Sequence, residues 1–213
     1  MGSWTAEALA RTGVGSLTLI DLDDICVSNT NRQIHTLTKT IGQPKTSAMH
    51  RRILEINPNC TVLEELDFLT ADNAKRILSG PYDVVVDAID SAKHKCTILS
   101  VARTLNKTVV TVGGAGGRRD PSQWFVTDLN KSKNDALLFR VRKNLRQQYG
   151  FPRGKERWGI PCVYTTEPPV FPTPEGETCG HTKPEAPLRL DCSEGYGAST
   201  AVTGTAGFLA ASA

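Results

Sequence analysis

At 213 residues, 39% of them hydrophobic, the chain can bury one sizeable core, and its formal charge of +3 is too small by itself to require a nucleic-acid partner. Six cysteines, at 26, 60, 96, 162, 179 and 192, include no Cys-x-x-Cys pair, which argues against a disulfide framework or a thiolate zinc site and reads as reduced intracellular thiols. No apolar run approaches the ~20 residues that span a bilayer and the first residues carry no signal pattern, so a soluble chain without a membrane segment is expected.

Trp4, Ala8 and Leu9 at helical spacing predict a helix over 2–12 that stops at Gly13, and Leu17 to Ile20 is a short strand ended by Asp21. Met49, Ile53, Leu54 and Ile56 predict a second helix over 45–56, broken by Asn57-Pro58 and followed by a strand over 61–66. Thr70 is read as the cap of a short helix to Leu78, Val84 to Ile89 as a buried strand, Ser91 as the cap of a helix to Leu105, and Val109 to Val112 as a further strand. Strands alternating with helices predict an α/β, Rossmann-like, doubly wound and mostly parallel sheet with helices on both faces.

Beyond Gly117 the pattern changes. Trp124 to Thr127 reads as a strand, 134–148 as a basic amphipathic helix, and this half is expected to decorate the sheet. Residues 166–190 carry six prolines and read as a long irregular connection, and the small residues from Gly195 to Ala213 suit a closely packed terminal helix. The expectation is one domain over 1–213, with a nucleotide-binding half (1–117) and a substrate-facing and dimer half (118–213).

Asp21-Leu22-Asp23 ends a predicted strand, where ligands of open parallel sheets bind and a carboxylate can accept ribose hydroxyls; a solvated acidic turn reads equally well there. Asn29-Thr30-Asn31-Arg32-Gln33 and Gly42-Gln43-Pro44-Lys45 add a guanidinium and an ammonium, the second at a helix start whose free N–H groups also attract phosphate. Taken singly, each cation is as well explained as an ordinary surface charge. Val84 to Ser91 then runs a buried strand into Asp87 and Asp90, and Asp90 could hold a Mg²⁺ on a triphosphate or cap a helix.

In that order and spacing, D-L-D, N-T-N-R-Q, G-Q-P-K and D-A-I-D resemble the adenylating domain of the ubiquitin-activating-enzyme-like superfamily. The resemblance implies ATP contacts by Gly2, Asp21, Asp23, Asn29, Arg32, Gln33, Lys45 and Asp90, with Arg32, Lys45 and Asp90 catalytic and Asp90 near Mg²⁺. G-S-W-x-A-E-A-L-A-R-T-G, N-T-N-R-Q-I-H, V-G-G-A-G-G and D-C-S-E-G-Y-G-A are similar, more narrowly, to the tRNA threonylcarbamoyladenosine dehydratases, and this similarity covers nearly the whole chain. It implies that ATP activates the carboxylate of threonylcarbamoyladenosine in tRNA and that the activated group then cyclises, with water lost in net terms. It also implies a homodimer, in the bacterial cytoplasm or, in a eukaryote, with mitochondria.

Two departures from the wider pattern matter. The family opens with a strand and a glycine-rich phosphate turn, of which only the last glycine, Gly2, is present, so a missing first strand is expected. The two Cys-x-x-Cys pairs of many sulfur-carrier activators are lacking, so no zinc is expected and the dehydratase reading is favoured. Adenylation of a sulfur-carrier or ubiquitin-like protein, with that carrier as partner, stands as the alternative, and a non-catalytic relative as a third reading. Arg32 and Lys45 suit a triphosphate better than a nicotinamide dinucleotide.

Cys192 is read as structural rather than as a thioester nucleophile, since cyclisation needs no enzyme thiol. Gly113 to Gly117 is read as a flexible turn near the substrate. From Lys131 to Arg157 nine basic residues face two acidic ones, a patch that could follow an RNA backbone or be a solvated face. Arg118, Arg119, Arg140, Arg142, Lys143 and Arg146 are the candidate RNA contacts, and Tyr149, Phe151 and Trp158 could stack on a base or pack in the core.

Overall fold

The computed structural model describes residues 1–172, 178–179 and 197–213. Its regular elements are α1 (Gly2–Arg11), β1 (Ser16–Ile20), α2 (Lys45–Ile56), β2 (Thr61–Glu65), α3 (Ala74–Leu78), β3 (Val84–Asp87), α4 (Ala92–Thr104), β4 (Thr108–Val112), β5 (Trp124–Asp128), α5 (Ala136–Gln148), β6 (Pro161–Thr165), the short pair β7 (Phe171–Pro172) and β8 (Thr178–Cys179), and α6 (Thr200–Ser212). Two boundaries move inward for local reasons. The third helix starts after Asn73 rather than at Thr70, because Asn73 Oδ1 accepts the Thr70 amide at 2.8 Å and holds a turn there. The strand after Val84 ends at Asp87, whose Oδ1 accepts the Ile89 amide at 3.2 Å and turns the chain.

β1 and β2 pair in parallel, and β3, β4 and β6 form a second parallel set with β5 added antiparallel at its edge, in the order β3-β4-β6-β5. Side chains alternate across this second sheet as a period of two requires. Val109, Cys162 and Tyr164 join the core beneath α4 and α5, whereas Val110, Val112 and Val163 face α6. Both faces are therefore covered, which is why the strands read as near-continuous apolar runs.

Strand β6 corrects the expectation that the second half only decorates the sheet. Pro161 to Thr165 sits between β4 and β5, with Cys162, Val163 and Thr165 fully buried. The halves 1–117 and 118–213 thus share one sheet.

Helix α6 crosses α1 through small residues. Gly204 packs against the Trp4 ring, and Thr5 Oγ1 donates to the Gly207 carbonyl at 3.0 Å. A Cβ at Gly207 would fall 2.5 Å from Trp4 Cβ and 2.9 Å from the Met1 carbonyl oxygen, atoms that cannot swing aside. Gly207→Ala is expected to destabilise the fold by about 1–3 kcal/mol, the usual range for overpacking. A urea midpoint equal to that of the unaltered protein would show that the helices separate freely.

Candidate nucleotide site

The site is built where α1 begins and where β1 and β3 end. Asp21 follows β1, and its Oδ1 accepts the Asp23 amide at 2.9 Å, closing a turn that presents both carboxylates. Residues 42–45 run alongside: the Lys45 amide donates to the Asp23 carbonyl at 3.0 Å, and the Ile25 amide to that of Gln43 at 2.9 Å. This pairing places Lys45 at the first turn of α2 with Nζ 2.6 Å from Asp23 Oδ2 and 3.9 Å from Asp21 Oδ2. Burial raises the Asp21 carboxyl above its usual range, opposed by the Asp23 amide and by Lys45, while the charge of Asp90 adds to the rise.

Arg32 lies across from Lys45. Its Nη1 donates to the Ser28 carbonyl at 2.6 Å and to Asn31 Oδ1 at 3.1 Å, which leaves other N–H groups of the guanidinium open. Gly2 stands against β3's outgoing turn, its Cβ direction 3.5 Å from Ala88. Trp4 of α1 donates to the Arg32 carbonyl, which brings that loop to the same end of the helix. Lys45 with Asp21 and Asp23, the Arg32 loop held by Trp4, and the turn from Ala88 to Asp90 beside Gly2 thus lie around the start of α1, where first-turn amides lack intrahelical acceptors and the helix dipole favours an anion. Two cations, free amides and two carboxylates in one place can hold a triphosphate and orient a divalent ion on it.

Other predicted residues have more local duties. Asn29 is buried and its Oδ1 accepts the Cys26 amide at 3.1 Å, so that side chain shapes the turn carrying Arg32. Gln33 Oε1 is buried without a partner among the described residues. Cys192 and the D-C-S-E-G-Y segment lie outside the described residues.

The structure adds supports that local sequence does not disclose. Trp4 Nε1 and Thr203 Oγ1 both donate to the Arg32 carbonyl, at 3.0 and 3.1 Å, and Asn31 is bonded to Ala198 and Thr200. The N-T-N-R loop is thus clamped between α1 and the start of α6. Buried His35 has neither ring nitrogen bonded, and burial beside Lys45 and Arg52 lowers its pKa to about 4, keeping it neutral near the phosphate-binding charges.

The turn from Gly113 to Gly117 is anchored rather than loose. Asp135, the cap of α5, accepts the Gly114 amide at 2.9 Å, and a Cβ at Gly113 would strike the same carboxylate at 2.4 Å. Gly117 at φ +72° donates to the Gly197 carbonyl and accepts from Val170, so a residue early in the irregular connection and one beyond it meet there.

The six candidate RNA contacts divide by burial. Arg119, Arg140 and Lys143 are exposed. Arg118 is buried, one N–H on the Asn134 carbonyl, and desolvation lowers its pKa. Arg142 is likewise turned inward, with Nη1 on Ser132 Oγ. Arg146 is half-buried, over the Trp158 ring. Phe151 is core, 4.9 Å from Trp158, which removes both rings from the free stacking surface.

Comparison with known proteins gives a family model, the ThiF family, matching residues 1–205. A tRNA threonylcarbamoyladenosine dehydratase of Escherichia coli is 46% identical over 214 residues, covering all of this chain and 80% of that protein. One from Haemophilus influenzae is 44% identical, covering all of this chain and 79% of its own length. A crystal structure of the E. coli dehydratase in complex with ATP superposes with a TM-score of 0.86 at 43% identity, over all of this chain and 79% of that one.

Proposed function

The chain belongs to the ThiF family, among the tRNA threonylcarbamoyladenosine dehydratases, and from that membership we infer its reaction and the residues that carry it. The protein is an ATP-dependent enzyme that dehydrates threonylcarbamoyladenosine in tRNA to its cyclic form through an acyl adenylate. The observation that carries the residue assignments is that Lys45 pairs with Asp21 and Asp23 while Trp4 of α1 holds the Arg32 carbonyl and Gly2 packs against Ala88, two residues before Asp90.

A carboxylate is a poor electrophile, and its hydroxyl equivalent cannot leave as oxide. In the first step a carboxylate oxygen of the substrate bonds to the α-phosphorus of ATP and pyrophosphate departs. In the second a nucleophilic atom of the carbamoyl group, on the same nucleoside, attacks the activated carbonyl carbon, loses its proton, and AMP leaves with the carboxylate oxygen. The second step is intramolecular, so proximity supplies a large part of its rate.

Arg32 and Lys45 hold and neutralise the phosphates, and on binding Lys45 exchanges its carboxylate partners for phosphate oxygens. Asp21 takes the ribose hydroxyls, and the amides of Gly2 and Ser3 face phosphate. Asp90, exposed beyond β3, would supply a carboxylate to a Mg²⁺ bound together with the triphosphate, since that ion accepts few protein ligands. When bound, the ion withdraws charge from the departing pyrophosphate. A homodimer belongs to the same reading, supported by the half-exposed Phe125 and Val126 on edge strand β5. So does a place in the cytoplasm; among the described residues no helix is long and apolar enough to cross a membrane.

The test follows AMP release from ATP with tRNA bearing threonylcarbamoyladenosine, with unmodified tRNA and with a sulfur-carrier protein. AMP and cyclised nucleoside are expected with the modified tRNA alone. AMP release that depends on the carrier protein would move the assignment to protein adenylation.

A further inference from the structure

We propose that the groove between α5 and the turns at 130–133 and 153–155 is a seat for the tRNA backbone, separate from the nucleotide site. The proposal rests on tRNA being the substrate and locates where its body is gripped. The groove has a volume of about 850 Å³, and among the described residues no carboxylate lines it. Lys133, Lys143, Arg153 and Lys155 stand exposed around it, and Arg142 and Arg146 form its floor.

Three features favour RNA over a merely solvated face. Among the described residues none of these cations is ion-paired, whereas Lys45, Arg52 and Arg76 elsewhere on the chain are. The floor is desolvated: burial lowers the pKa of Arg142, with the charge of Arg146 adding to it, and Arg146 Nε is buried without a partner. A guanidinium stays charged even so, and two of them side by side in a partly dry groove call for an anion with several acceptor oxygens. Phe139, 60% exposed at the groove's edge, offers a flat apolar face among the cations, the combination on which an unpaired base stacks.

Asp128 pairs with Pro161 where β6 enters the sheet, and the groove lies just beyond. Asp87, Thr111 and Cys162 share one row of the sheet, so Pro161 enters one row before the end of β3, and Asp90 lies past that end with β4 between the two strands.

The experiment measures tRNA affinity across a salt series for the whole protein and for Lys143→Glu/Arg153→Glu, Phe139→Ala and, on exposed α3, Lys75→Glu. The double variant is expected to raise the Kd for tRNA at least tenfold at low salt. Its log Kd against log salt should flatten by about 2, since each lost phosphate contact removes about 0.9. Phe139→Ala should weaken binding severalfold with the salt slope unchanged, and Lys75→Glu should do neither. ATP binding and melting temperature should hold in all three. Unchanged tRNA affinity and slope in the double variant would overturn the proposal and leave the groove to an acidic protein, as would a wild-type protein that does not bind tRNA. The substrate reading is scored apart, by turnover: salt-dependent tRNA binding lost in the double variant, with no cyclised product from modified tRNA in the wild type, would keep the groove and remove the assigned reaction.

Discussion

Asp90→Ala is expected to lower AMP release by at least ~10³-fold, with ATP affinity reduced much less. Removing one preorganised group that stabilises developing charge typically costs 10²–10³ in turnover, about 2.7–4 kcal/mol, and in the proposed mechanism Asp90 would combine that role with orienting a divalent ion on pyrophosphate. It is the one titratable side chain of the D-A-I-D turn left in solvent, since Asp87 is consumed inside the sheet. Its removal should therefore leave stability within the ±0.5 kcal/mol usual for surface changes. Asp90→Asn, which preserves shape and removes charge, should be nearly as inactive. Turnover near that of the unaltered protein in either variant would show that the charge of the departing pyrophosphate is stabilised elsewhere, and a large fall in melting temperature would show a structural role.

Asp87→Ala is expected to cause the largest loss of stability of any single change considered. Lys95 Nζ lies 2.9 Å from Asp87 Oδ2, both side chains wholly buried, and Thr111 Oγ1 bonds the same carboxylate oxygen at 2.7 Å. Removing the carboxylate strands an ammonium in a low-dielectric core, which costs about 3–5 kcal/mol. For a chain of this size each kcal/mol moves the melting temperature by about 2–4 °C. Replacing both partners, Asp87→Leu with Lys95→Met, should recover much of that loss, because no lone charge remains. Calorimetry on the two single variants and the double would decide it; a double variant as unstable as the singles together would mean that the pair contributes more than its own desolvation. The pair also fixes the strand end from which Asp90 projects, so partial inactivity of the singles should follow the fraction unfolded.

The positions of the candidate-site motifs in the fold were legible because they are local. D-L-D, N-T-N-R-Q, G-Q-P-K and D-A-I-D each sit at the end of a strand or the start of a helix, and apolar periodicity alone locates those ends. Helix α2 was predicted with its observed limits, 45–56, since Pro44 and Asn57-Pro58 bracket a regular stripe. Alternation of strand and helix, a property of neighbouring residues, likewise sufficed for a parallel sheet covered on both faces.

What sequence could not disclose depends on partners far along the chain. Pro161 to Thr165 is a five-residue apolar run amid prolines and glycines, and only its fit between β4 and β5 makes it a strand. Arg140 and Lys143 differ from Arg142 by two positions and one, yet helix geometry turns Arg142 towards Ser132 and the others to solvent. The clamp of Trp4 and Thr203 on the Arg32 carbonyl spans 28 and 171 residues. Sequence by itself thus determined which chemical groups stand at the ends of the early strands. Tertiary structure decided which of the charges are free to meet a ligand, because burial and pairing are set by contacts between segments that no local pattern records.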